Sequence, residues 1–438
     1  MLWSVRLMHP ASKVTVNSGD RKRALIGAAL TTIAQISKIG VGFVFIKLVA
    51  VYLGAGGMGQ LGHFMSVVTI LSLLAGGGIV NGLIKYVAQY KGKPKQLVSM
   101  IAVSKAYSLI FCIMVCVLGC IFSSYLSEYI FKTPEYYWIV VFLSVAQFGF
   151  AFTNLVTGVS NGLRDTKTYA IIQVVGNILV LPVSWILIQS FQFVGAALSM
   201  VFFFSLYSIP AMYFYRKSIF SKWPIGFRYE VAGFKRLLAF TLMAAVGAIS
   251  APLVEIIIRE QLIEHVGFVA AGIWQASIKL SSAYMGFFTI FLAVYFMPMV
   301  SEKTKVAEIT PLVFKFMKMV MAIFVLGAGV FFLLRHYLIP LLLSAEFIDL
   351  EGLIKYQLLA DLFRVTTYVV GFVVIAKAAL KIYLVGELTQ GVVFCGLGLA
   401  FLNSGLGIEG VFIANLLMNI LYFFVSIVGF MIYRKRSA

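Results

Sequence analysis

Apolar runs long enough to cross a hydrocarbon core of about 30 Å, at 1.5 Å of helix rise per residue, alternate along this chain with short polar loops. The pattern predicts an all-α, polytopic membrane protein with twelve transmembrane helices. The spans are expected at residues 24–53, 61–86, 97–122, 136–162, 168–188, 194–215, 237–262, 269–299, 311–334, 353–375, 382–402 and 407–433. Alternate loops carry the cations: Arg21, Lys22 and Arg23, then Lys91, Lys93 and Lys95, Arg164 and Lys167, Arg216 to Arg236, Lys303 and Lys305, Lys377 and Lys381, and Arg434 to Arg436. The opposite loops are acidic, with Glu128, Glu135, Glu264, Glu346, Asp349, Glu351 and Glu409. By the positive-inside rule both termini are expected to be cytoplasmic.

Composition agrees, since 61% hydrophobic and 12% charged residues over 438 positions exclude a soluble domain. The net charge of +19 would suit a nucleic-acid partner, but the cations sit in short loops between apolar runs, so none is expected. Residues 1–23 lack a signal-peptide core, and Pro10, Asn17, Gly19 and Asp20 predict a disordered cytoplasmic tail, with Met8 an alternative start. Cys112, Cys116 and Cys120 fall at helical spacing without histidine nearby, and Cys395 stands alone, so packing is expected of them and not metal binding.

The sequence also matches itself at an offset of about 213 to 215 residues. Lys22-Arg23 and Ile36-Ser37 recur as Lys235-Arg236 and Ile249-Ser250; Gly57 and Gln60 recur as Gly272 and Gln275; Lys167 and Tyr169 as Lys381 and Tyr383; Gly195 and Leu206-Tyr207 as Gly410 and Leu421-Tyr422. Six spans per repeat put both copies in the same orientation, giving two six-helix lobes related by a pseudo-two-fold axis along the membrane normal. The expected division is a tail at 1–23, an N-lobe at 24–215, a basic linker at 216–236, a C-lobe at 237–433 and a tail at 434–438. Parallel repeats of this kind place substrate between the halves and work by alternating access.

Ionisable residues inside the spans are the candidate chemistry. Lys279 lies roughly 15 Å inside the eighth span, where a lysine costs roughly 2.5–3.5 kcal/mol, so a wet cavity, a partner or an anionic ligand is expected beside it. Lys38 is similarly central, and neither has an acid at three or four residues' distance. Asp361 with Arg364 and Glu255 with Arg259 are spaced for pairing on one helix face. Lys47 is placed to reach an interface, and Gln275, Lys279 and Ser282 predict a wet face. A basic inter-lobe cavity suits an anionic solute, with Lys38, Lys279, Arg364, Lys47, Gln60 and Gln275 as polar contacts and Trp274, Tyr284 or Tyr356 as stacking platforms. Glu255, Asp361 and Glu387 are candidates for proton or sodium coupling, with no other cofactor expected. There is no G-x-x-x-x-G-K-[ST] or H-E-x-x-H, the histidines are scattered and no outward loop exceeds about 20 residues, all of which favours a transporter over an enzyme.

Six segments carry a family resemblance: LAGGGIVNG (74–82), IKYVAQY (84–90), GIWQ (272–275), YFMP (295–298), YQLLAD (356–361) and VIAKA (374–378). With them the chain resembles, collinearly over 24–436, the Wzx polysaccharide flippases of the multidrug/oligosaccharidyl-lipid/polysaccharide exporter superfamily, nearest the branch that handles lipid III of enterobacterial common antigen. The resemblance implies translocation of an undecaprenyl-pyrophosphate-linked oligosaccharide, lipid III or an O-antigen unit, from the cytoplasmic to the periplasmic leaflet. Its headgroup would cross near Lys38 and Lys279 while its tail stays among membrane lipids. A polymerase and a chain-length regulator of the same pathway would be its partners. The alternatives are a cation-coupled drug antiporter of the same superfamily, which would want an acidic cavity, and a membrane polysaccharide polymerase, which would want a large outward loop.

Overall fold

A computed structural model describes residues 18–218, 226–303, 306–377 and 379–436. Most of the expected tail, residues 1–17, and residues 219–225 of the expected linker lie outside this description. Among the described residues the regular structure is entirely helical. The helices are α1 (Ser18–Leu74), α2 (Val80–Tyr90), α3 (Pro94–Ile121), α4 (Ser123–Phe131), α5 (Tyr137–Gly162), α6 (Thr166–Leu206), α7 (Ser208–Lys217), α8 (Val231–His265), α9 (Phe268–Phe291), α10 (Met297–Glu302), α11 (Val306–Leu333), α12 (Arg335–Leu342), α13 (Leu350–Ala376), α14 (Leu380–Asn403) and α15 (Gly407–Arg436).

Ten helical stretches among these residues are long and apolar enough to cross a membrane, so the chain is a multi-pass membrane protein. Two of them, Ala29–Leu74 and Thr166–Lys217, run to 46 and 52 residues. Each bends at one non-helical residue: Gly54, at φ 65° and ψ −169°, and Gln192, at φ 45° and ψ −116°. Ser199 donates to the Ser184 carbonyl at 3.5 Å, a pair that would stand about 22 Å apart in a straight helix, so α6 folds back on itself. A count of twelve is reached only by taking the two limbs of each bent helix separately.

The expected span at 61–86 is not one helix. Gly76, Gly77 and Gly78 all have positive φ, of 68°, 87° and 61°, which breaks it before α2. The amides of Gly77 and Gly78 both return to the Leu74 carbonyl, at 2.7 and 3.0 Å, and Thr241 of α8 donates to the Gly77 carbonyl at 2.5 Å. In a membrane freed backbone groups must find protein partners, and these bonds supply them for both amides and for the Leu74 and Gly77 carbonyls.

The internal repeat is visible in the elements. The order α3, α4, a 3-10 turn at Pro134–Tyr136 and α5 recurs as α11, α12, a 3-10 turn at Ala345–Phe347 and α13, roughly 210 residues later. Where the first half has its triple-glycine break, the second has a π turn at Leu292–Phe296. Apart from α1, helices of each half pack chiefly on one another: α5 on α2, α3 and α6 in the first, and α13 on α11 and α15, and α14 on α8 and α15, in the second, while α1 packs both on α6 and across to the other half. The halves meet along α1 against α8 and α9. Small residues allow that approach, because a Cβ on Gly272 would lie 1.8 Å from the Ala55 carbonyl oxygen and one on Gly59 2.1 Å from that of Phe268.

Candidate functional site

Between the halves lies a cavity of about 830 Å³, walled by both limbs of α1, by α6, by α9 with the π turn after it, and by α13. Its polar lining is Thr31, Thr32, Gln35, Lys38, Thr69, Lys279, Ser282, Thr289, Arg364 and Tyr368. It therefore holds three cations and, among its lining residues, no carboxylate. Neither Lys38 nor Lys279 has an ion-pair or hydrogen-bond partner among the described residues. Arg364 is anchored: its Nη2 is 3.0 Å from Asp361 Oδ1 and donates to Ser281 Oγ at 2.6 Å. Asp361 is fully buried behind it, and its Oδ2 accepts from Ser281 at 2.7 Å, from Gln357 at 3.0 Å and from the Tyr284 hydroxyl. The expected helix-face pair at Asp361 and Arg364 thus forms, with the acid turned from the cavity and the base facing it.

Other expected contacts lie elsewhere. Gln275 does not line the cavity with Lys279 and Ser282, because its amide oxygen accepts from Arg259 Nη2 at 2.5 Å in a 0% exposed position. Arg259 is also wholly buried, and a buried guanidinium must be satisfied on several sides. It pairs with Glu255 at 3.5 Å, donates to Ser66 Oγ at 3.3 Å and sits over the Trp274 ring at 5.8 Å. Trp274, Gln275 and Glu255 therefore belong to this cluster at the junction of the halves and are not cavity wall. Lys47 donates to the carbonyls of Pro340, at 3.3 Å, and Leu343, at 2.5 Å, where the free carbonyls ending α12 attract a cation. Gln60 donates to the Phe131 carbonyl at 3.2 Å. Glu387 bonds Tyr383, one turn before it in α14, away from the cavity. Tyr356 is taken up by Glu409 at 2.6 Å.

The lining also holds residues that the sequence reading passed over. Thr31 and Gln35 precede the expected Lys38 at helical intervals along α1 and form with it one polar stripe, which is legible in the spacing. Tyr368 likewise follows Arg364 by four residues on one face of α13, whereas Thr69 has no polar lining neighbour at such an interval. The two halves are further joined by Glu260, which lies 2.9 Å from His63 and ion-pairs Lys132, and by Glu346, whose Oε2 takes the Ala55 amide at 3.1 Å at the start of the second limb of α1.

Comparison with known proteins places this geometry. Residues 24–304 match the model of a family described as polysaccharide biosynthesis protein. The lipid III flippases of Escherichia coli (strain K12) and Shigella flexneri are each 31% identical to the chain over 422 residues, covering 94% of this chain and 100% of the relative. A solved inward-facing multidrug resistance MATE family transporter of the MOP superfamily superimposes with a TM-score of 0.73 at 17% identity, over 92% of this chain and 96% of that one. It shares the fold. The match across well over half of the chain, and the near-complete alignment with the two flippases, show that this chain belongs to the polysaccharide biosynthesis protein family.

Proposed function

We propose that this protein is a flippase that carries an undecaprenyl-pyrophosphate-linked oligosaccharide, lipid III or an O-antigen unit, from the cytoplasmic to the periplasmic leaflet of the inner membrane, with both termini cytoplasmic. The observation that carries the reading is the inter-lobe cavity lined by Lys38, Lys279 and Arg364 and by no acid. Phosphate is a suitable ligand for two point charges and a guanidinium, and the cations stand where an uncompensated charge would be costly. The hydroxyls and amide of Thr31, Gln35, Thr69 and Ser282 offer sugar hydroxyls hydrogen bonds. Hydrocarbon would exclude such a headgroup by many kcal/mol; the cavity replaces its water, while the prenyl tail stays in lipid.

A drug antiporter fits less well, because a cationic drug would meet like charge in this cavity. Movement is expected to draw on a proton or sodium gradient and not on nucleotide hydrolysis, and the product would pass to a polymerase and a chain-length regulator on the far leaflet. The test is purified protein in proteoliposomes with a fluorescent prenyl-pyrophosphate oligosaccharide. ATP-free transfer between leaflets, slowed when the gradient is collapsed, is the expected result; lengthening of the glycan would make the protein a polymerase instead.

A further inference from the structure

Of the three cavity cations, one is tethered. Arg364 gives its Nη2 to Asp361 at 3.0 Å and to Ser281 at 2.6 Å, whereas Lys38 and Lys279 are unengaged among the described residues. The tether is itself braced. Gln357, which donates to Asp361 at 3.0 Å, accepts from Ser277 of α9 and from Asn415 of α15, both at 3.3 Å. The acid is wholly buried, while Arg364 keeps 26% of its side chain exposed at the cavity wall. Its Nη1 has no partner among the described residues, and its Nε is buried without one. A carboxylate fixed by three donors on two helices therefore sets the direction of a guanidinium whose remaining donors are unfilled.

We infer that Asp361 is a positioning residue for headgroup binding: it holds Arg364 as the fixed point on which a substrate phosphate registers, while the two lysines adjust around it. This rests on the cavity reading above and removes Asp361 from the coupling candidates. The physical reason is preorganisation. An arginine held in its binding geometry loses less freedom when it binds, and a displacement of about 1 Å at such a contact is felt strongly.

Initial transfer rates against substrate mole fraction in proteoliposomes, with and without a pH gradient and beside a thermal melt, test it. The variants are Asp361→Asn, Tyr284→Phe, Arg364→Lys, the Asp361→Asn/Arg364→Lys double and Lys279→Ala. Asp361→Asn is expected to raise the half-saturating substrate fraction about tenfold, the scale of one misplaced charged hydrogen bond, with the maximal rate and the gradient response kept. The double variant is expected to match Arg364→Lys alone, since Asp361 acts through Arg364. Tyr284→Phe, which removes one donor without stranding a charge, is expected to shift half-saturation the same way by about threefold and tests the claim even where Asp361→Asn does not fold. Multiplying effects in the double, unchanged half-saturation in Tyr284→Phe, or an Asp361→Asn protein that binds normally but ignores the gradient would each overturn the inference. If Lys279→Ala is impaired while these results hold, only the inference falls; if Lys279→Ala saturates like the wild type, the cavity reading falls with it.

Discussion

Among the described residues Lys279 and Lys38 stand unpaired in spans where a lysine costs roughly 2.5–3.5 kcal/mol to insert, which is the basis for the ligand contact proposed for them. Lys279→Ala is expected to weaken headgroup binding by roughly 10- to 100-fold, the loss of one charge-assisted hydrogen bond, with an unchanged melting temperature. Titration of the purified variant with labelled substrate checks this. Arg259 is expected to behave in the opposite way. Its removal leaves the buried Gln275 amide oxygen without its donor, while Glu255 keeps a quarter of its side chain exposed, so Arg259→Ala is expected to destabilise by roughly 1–3 kcal/mol, seen as a lowered thermal midpoint in detergent. Spacing along the chain already identified the pairs Asp361 with Arg364 and Glu255 with Arg259, because one helix face is a local property. It could not show that Ser281 and Tyr284 turn Asp361 inward, since those partners come from another helix.

At the scale of elements, hydropathy located the spans but treated residues 61–86 as continuous, because a broken helix and a whole one bury the same apolar side chains. The break follows from the backbone of Gly76 to Gly78. At Gly77, with φ 87°, an added Cβ would lie 2.6 Å from the Tyr107 ring, so Gly77→Ala is expected to cost about 1–2 kcal/mol for the conformation, plus the displacement of Tyr107. A melt compared with Gly329→Ala, where nothing lies within 4 Å, measures it. Gly272→Val should be more severe, because its Cβ would meet the Ala55 carbonyl oxygen at 1.8 Å, a backbone atom that cannot rotate away. The expected reading is a protein that inserts but melts early and transports poorly.

For the whole molecule, alternating access requires the two halves to part at one end and then at the other. On the acidic-loop side Lys132 ion-pairs Glu260, Lys47 holds the α12 carbonyls and Glu346 caps the second limb of α1, all across the junction. With Cys112, Cys116, Cys120 and Cys395 replaced, Lys132→Cys and Glu260→Cys joined by a cleavable bifunctional thiol reagent are expected to stop transfer, with recovery on cleavage. Full transfer in the joined protein would show that this junction never opens. The membrane class, the approximate positions of the spans, the duplicated order and the presence of lysines inside apolar spans are all legible along the chain, because each depends on side-chain chemistry summed over short stretches. That Lys38, Lys279 and Arg364 share one cavity while Trp274, Gln275 and Glu255 gather around Arg259 is seen in the folded arrangement alone. Those outcomes depend on which helix face meets which neighbour, and that is settled by close packing between segments more than 200 residues apart.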